Sequence, residues 1–293
     1  MALAAPLPTV AARSRSRLWG VPVYWHLLSL DAPTVAVLWA WSFALAAGIR
    51  VSVISIAVLG VGTWLIYVAD RLLDVRSRAH PALRERHFFH ARHRRMLLLT
   101  ALPTGALLLG SICIMPAAAR RDDEILFAIS MLYFAGVHLP VVRLCRWFPR
   151  EVAVGVLFSL ATAVPAWSSP HAPHALIVWL VLLFAGLCTL NCVAIETWES
   201  KNSNRSVTVP VMALGVAVAA MILLYGPATG AALGFCLASL ASAAILFALD
   251  RLYRGSAQRR AGPEDRARLL LALRIAADAA LLTPIFFLSP WHL

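Results

Sequence analysis

Two pairs of carboxylates stand out in a chain that has only 14 Asp and Glu residues. Asp70 and Asp74 end one long apolar run, and Glu196 and Glu199 end another. Hard divalent cations such as Mg²⁺ take oxygen ligands and often bridge a protein carboxylate to a substrate diphosphate. Two such pairs facing one another therefore point to diphosphate chemistry. Tyr67, Asp70, Arg71 and Asp74 are spaced to share one helical face, with Trp64 one turn deeper. Carboxylates at a helix C-terminus oppose the macrodipole and repel each other, so cations should compensate them. Arg71 lies within the first segment, and Lys201 and Arg205 follow the second.

The elements that must carry these residues are membrane helices. Of the 293 residues, 61% are hydrophobic and 14% charged, and the mean hydropathy is +0.78. This excludes a large soluble catalytic domain. Runs long enough to span a bilayer fall at 33–49, 51–70, 96–115, 124–142, 151–168, 175–198, 208–226, 229–249 and 269–289. The expected fold is an all-α, polytopic bundle of about nine transmembrane helices, one integral-membrane domain over 1–293. Its N-terminal segment is 1–32, and its large basic loop is 71–95.

With the N-terminus placed inside, 22 of the 26 basic residues fall in the tail and the loops at 71–95, 143–150, 199–207 and 250–268. Arg50, Arg120 and Arg121 fall outside, and Arg274 lies within the last span. The positive-inside rule then puts the N-terminus in the cytoplasm and the C-terminus outside, in a bacterial cytoplasmic membrane. The net charge of +12 is thereby a topological signal, and no nucleic-acid motif accompanies it. Arg13, Arg15 and Arg17 follow an apolar start, the reverse of signal-peptide order. The five cysteines show neither a disulfide framework nor zinc spacing.

At these residues the chain resembles the UbiA-type intramembrane prenyltransferases, which have nine helices and acidic motifs after the second and sixth. Ala69-Asp70-Arg71-Leu72-Leu73-Asp74 is similar to the later part of the first motif, and Glu196-Thr197-Trp198-Glu199 with Arg205-Ser206 to the second. Leu30-Asp31-Ala32-Pro33-Thr34 is similar to the family's entry segment before its first span. Three departures accompany the match: Ile66 and Tyr67 stand where the family has Asn and its first Asp, Ala32 replaces a lysine, and the second motif is built on glutamate.

The resemblance implies Mg²⁺ held by Asp70, Asp74, Glu196 and Glu199, which act as the catalytic carboxylates. Trp64, Tyr67, Arg71, Asn191, Lys201 and Arg205 would bind substrate. The implied reaction transfers a prenyl group from an isoprenoid diphosphate to a lipophilic, aromatic or quinone-like acceptor. Metal and cations would stabilise the departing diphosphate while the apolar bundle shields the carbocation.

His87, His90 and His93 form a second chemical pattern in the basic loop. It fits an amphipathic cytoplasmic helix at the headgroups or over the diphosphate site, and alternatively the metal cluster of a membrane hydroxylase or desaturase. Arg274 and Asp278, one turn apart, read as an internal ion pair. Asp250-Arg251 reads as a boundary charge pair. A transporter is a third reading; it would favour helices broken at corresponding positions of two halves.

Overall fold

Uncharged runs of Leu, Ala and Val that leave water must satisfy their backbone groups internally, and the helix does so within one segment. The computed structural model describes residues 17–77, 85–138, 149–200, 207–225, 230–257 and 262–287. These form α1 (Arg17–Leu27), α2 (Asp31–Ala46), α3 (Val53–Ser77), α4 (Glu85–Arg92), α5 (Arg94–Cys113) and α6 (Ala117–His138). The second half holds α7 (Arg150–Trp167), α8 (His174–Glu199), α9 (Thr208–Tyr225), α10 (Gly230–Ala257), α11 (Pro263–Ala280) and α12 (Pro284–Phe287). No strand occurs among the described residues.

Within the described residues, each apolar run read from the sequence overlaps a helix. Six segments are long and apolar enough to cross a membrane alone: Val53–Val75, Arg94–Cys113, Arg150–Trp167, His174–Glu199, Gly230–Gly255 and Asp265–Phe287. A seventh is reached if Gly20–Leu27 and Asp31–Ala46, which meet at 87°, count as one broken span. In α6, the charges from Arg120 to Glu124 occupy the early turns, and α9 is apolar over the shorter stretch Thr208–Ala220. One expectation changes: residues 17–27, read as cytoplasmic tail, are helical. In the basic loop α3 runs on to Ser77, and α4 is the helix expected around His87 and His90.

The core lies between α2, α7, α8 and α10. Trp39 stacks on Phe184 at 4.4 Å and meets Phe235 edge-on at 4.9 Å. The Trp39 indole N–H donates to the Leu281 carbonyl at 2.8 Å, tying α2 to the end of α11. In lipid, burying apolar area drives little association, so helices join through close backbone approach and interhelical hydrogen bonds. Gly155 shows the first device: a Cβ there would stand 2.4 Å from Thr189 Oγ1 and 2.9 Å from the Ala185 carbonyl oxygen. Ser159 shows the second, donating to the Val181 carbonyl at 2.8 Å. By contrast, only Leu97 of α5 is buried.

Candidate functional site

The break between α1 and α2 organises the polar end of the bundle. Leu30 N–H bonds the Trp25 carbonyl at 3.0 Å and Ser29 N–H the His26 carbonyl at 3.1 Å, which closes α1 in a Schellman-type turn. Ser29 takes the left-handed position, φ 56°, where glycine is usual, and it is fully buried. Holding a non-glycine residue there costs about 1 kcal/mol or more, and such strain clusters at functional sites. Asp31 then opens α2 with its carboxylate at the positive end of the dipole. Its Oδ1 accepts the Ala32 N–H at 2.9 Å.

Three ionisable groups meet at this elbow. His26 Nδ1 lies 2.8 Å from Asp31 Oδ2 and 3.2 Å from Asp278 Oδ2 of α11. His26 is 3% exposed and Asp31 9%. Against the Asp31 carboxylate the imidazole donates from Nδ1.

The C-terminal turns of α3 pack beneath the elbow. Trp64 Nε1–H donates to the Leu28 carbonyl at 3.1 Å. The Arg71 guanidinium, 6% exposed, donates from Nε to Ser29 Oγ at 3.3 Å and stands 5.9 Å over the Tyr67 ring, a cation–π distance. Asp70 is half-buried and Asp74 buried.

Helix α4 closes over these groups. His87 Nε2 is 3.3 Å from Asp74 Oδ2. His90 Nδ1–H donates to the Arg86 carbonyl at 2.8 Å, which leaves Nε2 to face Ser29 Oγ at 3.5 Å. Burial, with the Arg71 charge second, lowers the His90 pKa to about 4. It stays neutral, as that hydrogen-bond arrangement requires. Arg86 Nε and Nη1 are buried and have no hydrogen-bond partner among the described residues.

On α8 the second acidic pair divides. Arg274 of α11 donates to Glu199, whereas Glu196 is exposed. The expected partner of Arg274 was Asp278; the structure gives Arg274 a carboxylate from another helix and brings Asp278 to His26. Trp198 Nε1–H donates to Asp250 Oδ1 of α10 at 3.1 Å, and Asp250 pairs with Arg254 at 2.8 Å. Asn191 is 7% exposed, with Oδ1 unpartnered among the described residues. Lys201 and Arg205 lie outside the described residues.

Among the described residues, Asp70, Asp74, Glu196 and Glu199 supply no close-set group of three ligand atoms. Asp74 faces an imidazole, Glu199 binds a guanidinium, Glu196 is exposed and Asp70 is half-buried. Nor do His87, His90 and His93 form a ligand group, since His87 turns to Asp74, His90 to Ser29, and His93 Nδ1–H to the Phe89 carbonyl at 2.9 Å. The one group of three metal-competent side chains among the described residues is His26, Asp31 and Asp278. Sequence reasoning left these out of the site because they come from three separate stretches. The signals were there in Asp31 of the entry segment and in an aspartate inside the last span.

No family model matches this chain, and neither a curated protein nor a solved structure shows significant similarity to it.

Proposed function

We propose that the chain is a UbiA-like intramembrane transferase. It spans the bacterial cytoplasmic membrane nine times with its N-terminus inside, as one domain, and moves a prenyl group from an isoprenoid diphosphate to a lipophilic aromatic or quinone-like acceptor. One observation carries this reading: the three segments that resemble the family join one polar cluster. Asp31 of the entry segment faces His26, which faces Asp278 of α11, and α11 reaches the second acidic segment through Arg274 and Glu199. Ser29, in the turn just before the entry segment, accepts from Arg71 of the first acidic segment. All lie at one end of the bundle, an arrangement that suits an amphiphile with an anionic head and an apolar tail.

Cationic side chains add to the chemistry of Asp70 and Asp74, which would hold Mg²⁺. Arg71 and the unpartnered donors of Arg86 are placed to hold a diphosphate by charge-assisted hydrogen bonds. As the allylic C–O bond ionises, negative charge grows on the leaving oxygen, and fixed guanidinium groups in a dry site stabilise it. The electron-rich Tyr67 and Trp64 rings face the carbocation, which the bundle keeps from water until the acceptor attacks.

The test is diphosphate release by full-length protein in lipid nanodiscs, with a panel of prenyl diphosphates and phenolic or quinone-like acceptors, each with and without Mg²⁺. Wild type is expected to release diphosphate, and Arg71→Ala and Asp70→Asn to lose most of that activity. Absence of both binding and release in every combination sinks the reading. The 87° break favours a second reading, transport of an anionic amphiphile, because discontinuous helices build transporter sites. Counterflow of labelled lipid without covalent change would select it.

A further inference from the structure

We propose that His26, Asp31 and Asp278 form a binding site for a divalent transition-metal ion, in a place and with donors unlike those of the four dispersed carboxylates. The ligand atoms all lie within 4.8 Å of one another. They come from the end of α1, the start of α2 and the interior of α11, so folding alone brings them together.

Geometry supports an ion at their centre. Two ligands each about 2.1 Å from a metal are about 3.0 Å apart at a right angle and about 3.4 Å apart at a tetrahedral angle. The imidazole nitrogen stands 2.8 and 3.2 Å from its two carboxylate oxygens, the edge lengths of a coordination polyhedron.

Charge supports it as well. Two acids share one imidazole at a buried position, and the nearest cation along α11, Arg274, is bonded to Glu199. An ion replaces the imidazole proton, binds all three groups and neutralises both acids. The donor set also selects the metal. Imidazole with two carboxylates suits Zn²⁺, Mn²⁺ or Fe²⁺, whereas Mg²⁺ prefers an all-oxygen, largely hydrated shell. Three protein ligands leave open positions for water or a substrate oxygen. The ion would also staple the α1–α2 elbow to α11.

The test is metal content rather than turnover. Full-length protein in detergent is stripped with chelator and titrated with Zn²⁺, Mn²⁺ or Mg²⁺, and bound metal is measured by elemental analysis. Wild type is expected to retain one Zn²⁺ or Mn²⁺ per chain in the presence of excess Mg²⁺. Asp278→Asn and His26→Gln should weaken binding at least tenfold, while Asp74→Asn and His87→Gln leave it unchanged. Pulsed EPR of bound Mn²⁺ in wild type should show coupling to one imidazole nitrogen, a readout that needs no variant to fold. Wild type that binds no ion, binding equal in all variants, or a Mn²⁺ spectrum without nitrogen coupling each overturns the proposal.

Discussion

The two ends of the bundle hold the same kinds of charged residue in opposite circumstances. Where α6 begins, Arg120 and Glu124 sit 3.8 Å apart with side chains 42% and 64% exposed, and Asp122 accepts from Ser168 at 2.7 Å. At the elbow end, His26, Arg71, Asp74 and His90 are each less than 9% exposed and are held by groups from other helices. Exposed ion pairs contribute about 1 kcal/mol or less, whereas a buried charge is tolerable only with its partner in place. More of the buried charge lies at the elbow end, and that is where a charged ligand would be bound.

The largest test of this contrast exchanges the two arginines. Arg71→Ala removes a buried cation that contacts Ser29 and the Tyr67 ring. It should lower prenyl-diphosphate turnover by about two to three orders of magnitude, the usual effect of losing one donor to a developing oxyanion. Arg120→Ala should leave turnover unchanged and shift stability by about 0.5 kcal/mol or less. Equal effects in a diphosphate-release assay would erase the distinction.

Second in size is the paired carboxylate comparison. Glu199→Gln takes the charge partner from Arg274, which lies largely out of solvent, and should cost about 2–3 kcal/mol. Glu124→Gln loosens an exposed pair and should cost about 0.5 kcal/mol or less. Thermal unfolding in one detergent measures both, and a cost below that of Glu124→Gln would break the argument for a buried network.

What was legible in the sequence followed from local pattern. Hydropathy marked every apolar run that became a helix, and helical spacing placed Tyr67, Arg71 and Asp74 toward one cluster. Partnership was not legible, because it depends on which helices are neighbours. Arg274 and Asp278 have ideal spacing for a pair, yet α8 offers Glu199 to one and the elbow offers His26 to the other. Glu196 and Glu199 likewise share a helix end but not an environment. The elbow itself escaped reading since Ser29, not glycine or proline, makes the turn.

A third test uses pH, to which the ends should respond in opposite senses. Burial and the Arg71 charge hold His90 at about 4, below its ordinary 6.5. The unfolded chain therefore binds more protons between these values, and the packing of α4 is lost as pH falls from 6.5 toward 4. At the other end, burial and the charge of Asp122 raise Asp123 to about 6 from 3.8. There the folded state binds more protons, so stability is greater at low pH and is lost as pH rises through that window. Local hydrogen exchange, corrected for intrinsic rates, should show protection rising with pH in α4 and falling at the start of α6. Parallel changes would show that these two groups do not govern their ends.

The smallest effect separates strain from contact at the elbow. Ser29 pays a backbone penalty at φ 56°, while its hydroxyl links Arg71 and His90. Ser29→Ala keeps the penalty and loses the hydroxyl, so it should destabilise by about 1–2 kcal/mol. Ser29→Gly loses the same hydroxyl but relieves the left-handed strain by about 1 kcal/mol, so it should fall close to wild type in stability. Turnover should drop alike in both, because each frees Arg71 from its anchor. Denaturant or thermal unfolding paired with the release assay reads the two quantities separately. If glycine restores activity as well as stability, the turn and not the hydroxyl positions Arg71. If alanine and glycine are equally unstable, the left-handed serine carries no strain, and the elbow is held by its hydrogen bonds alone.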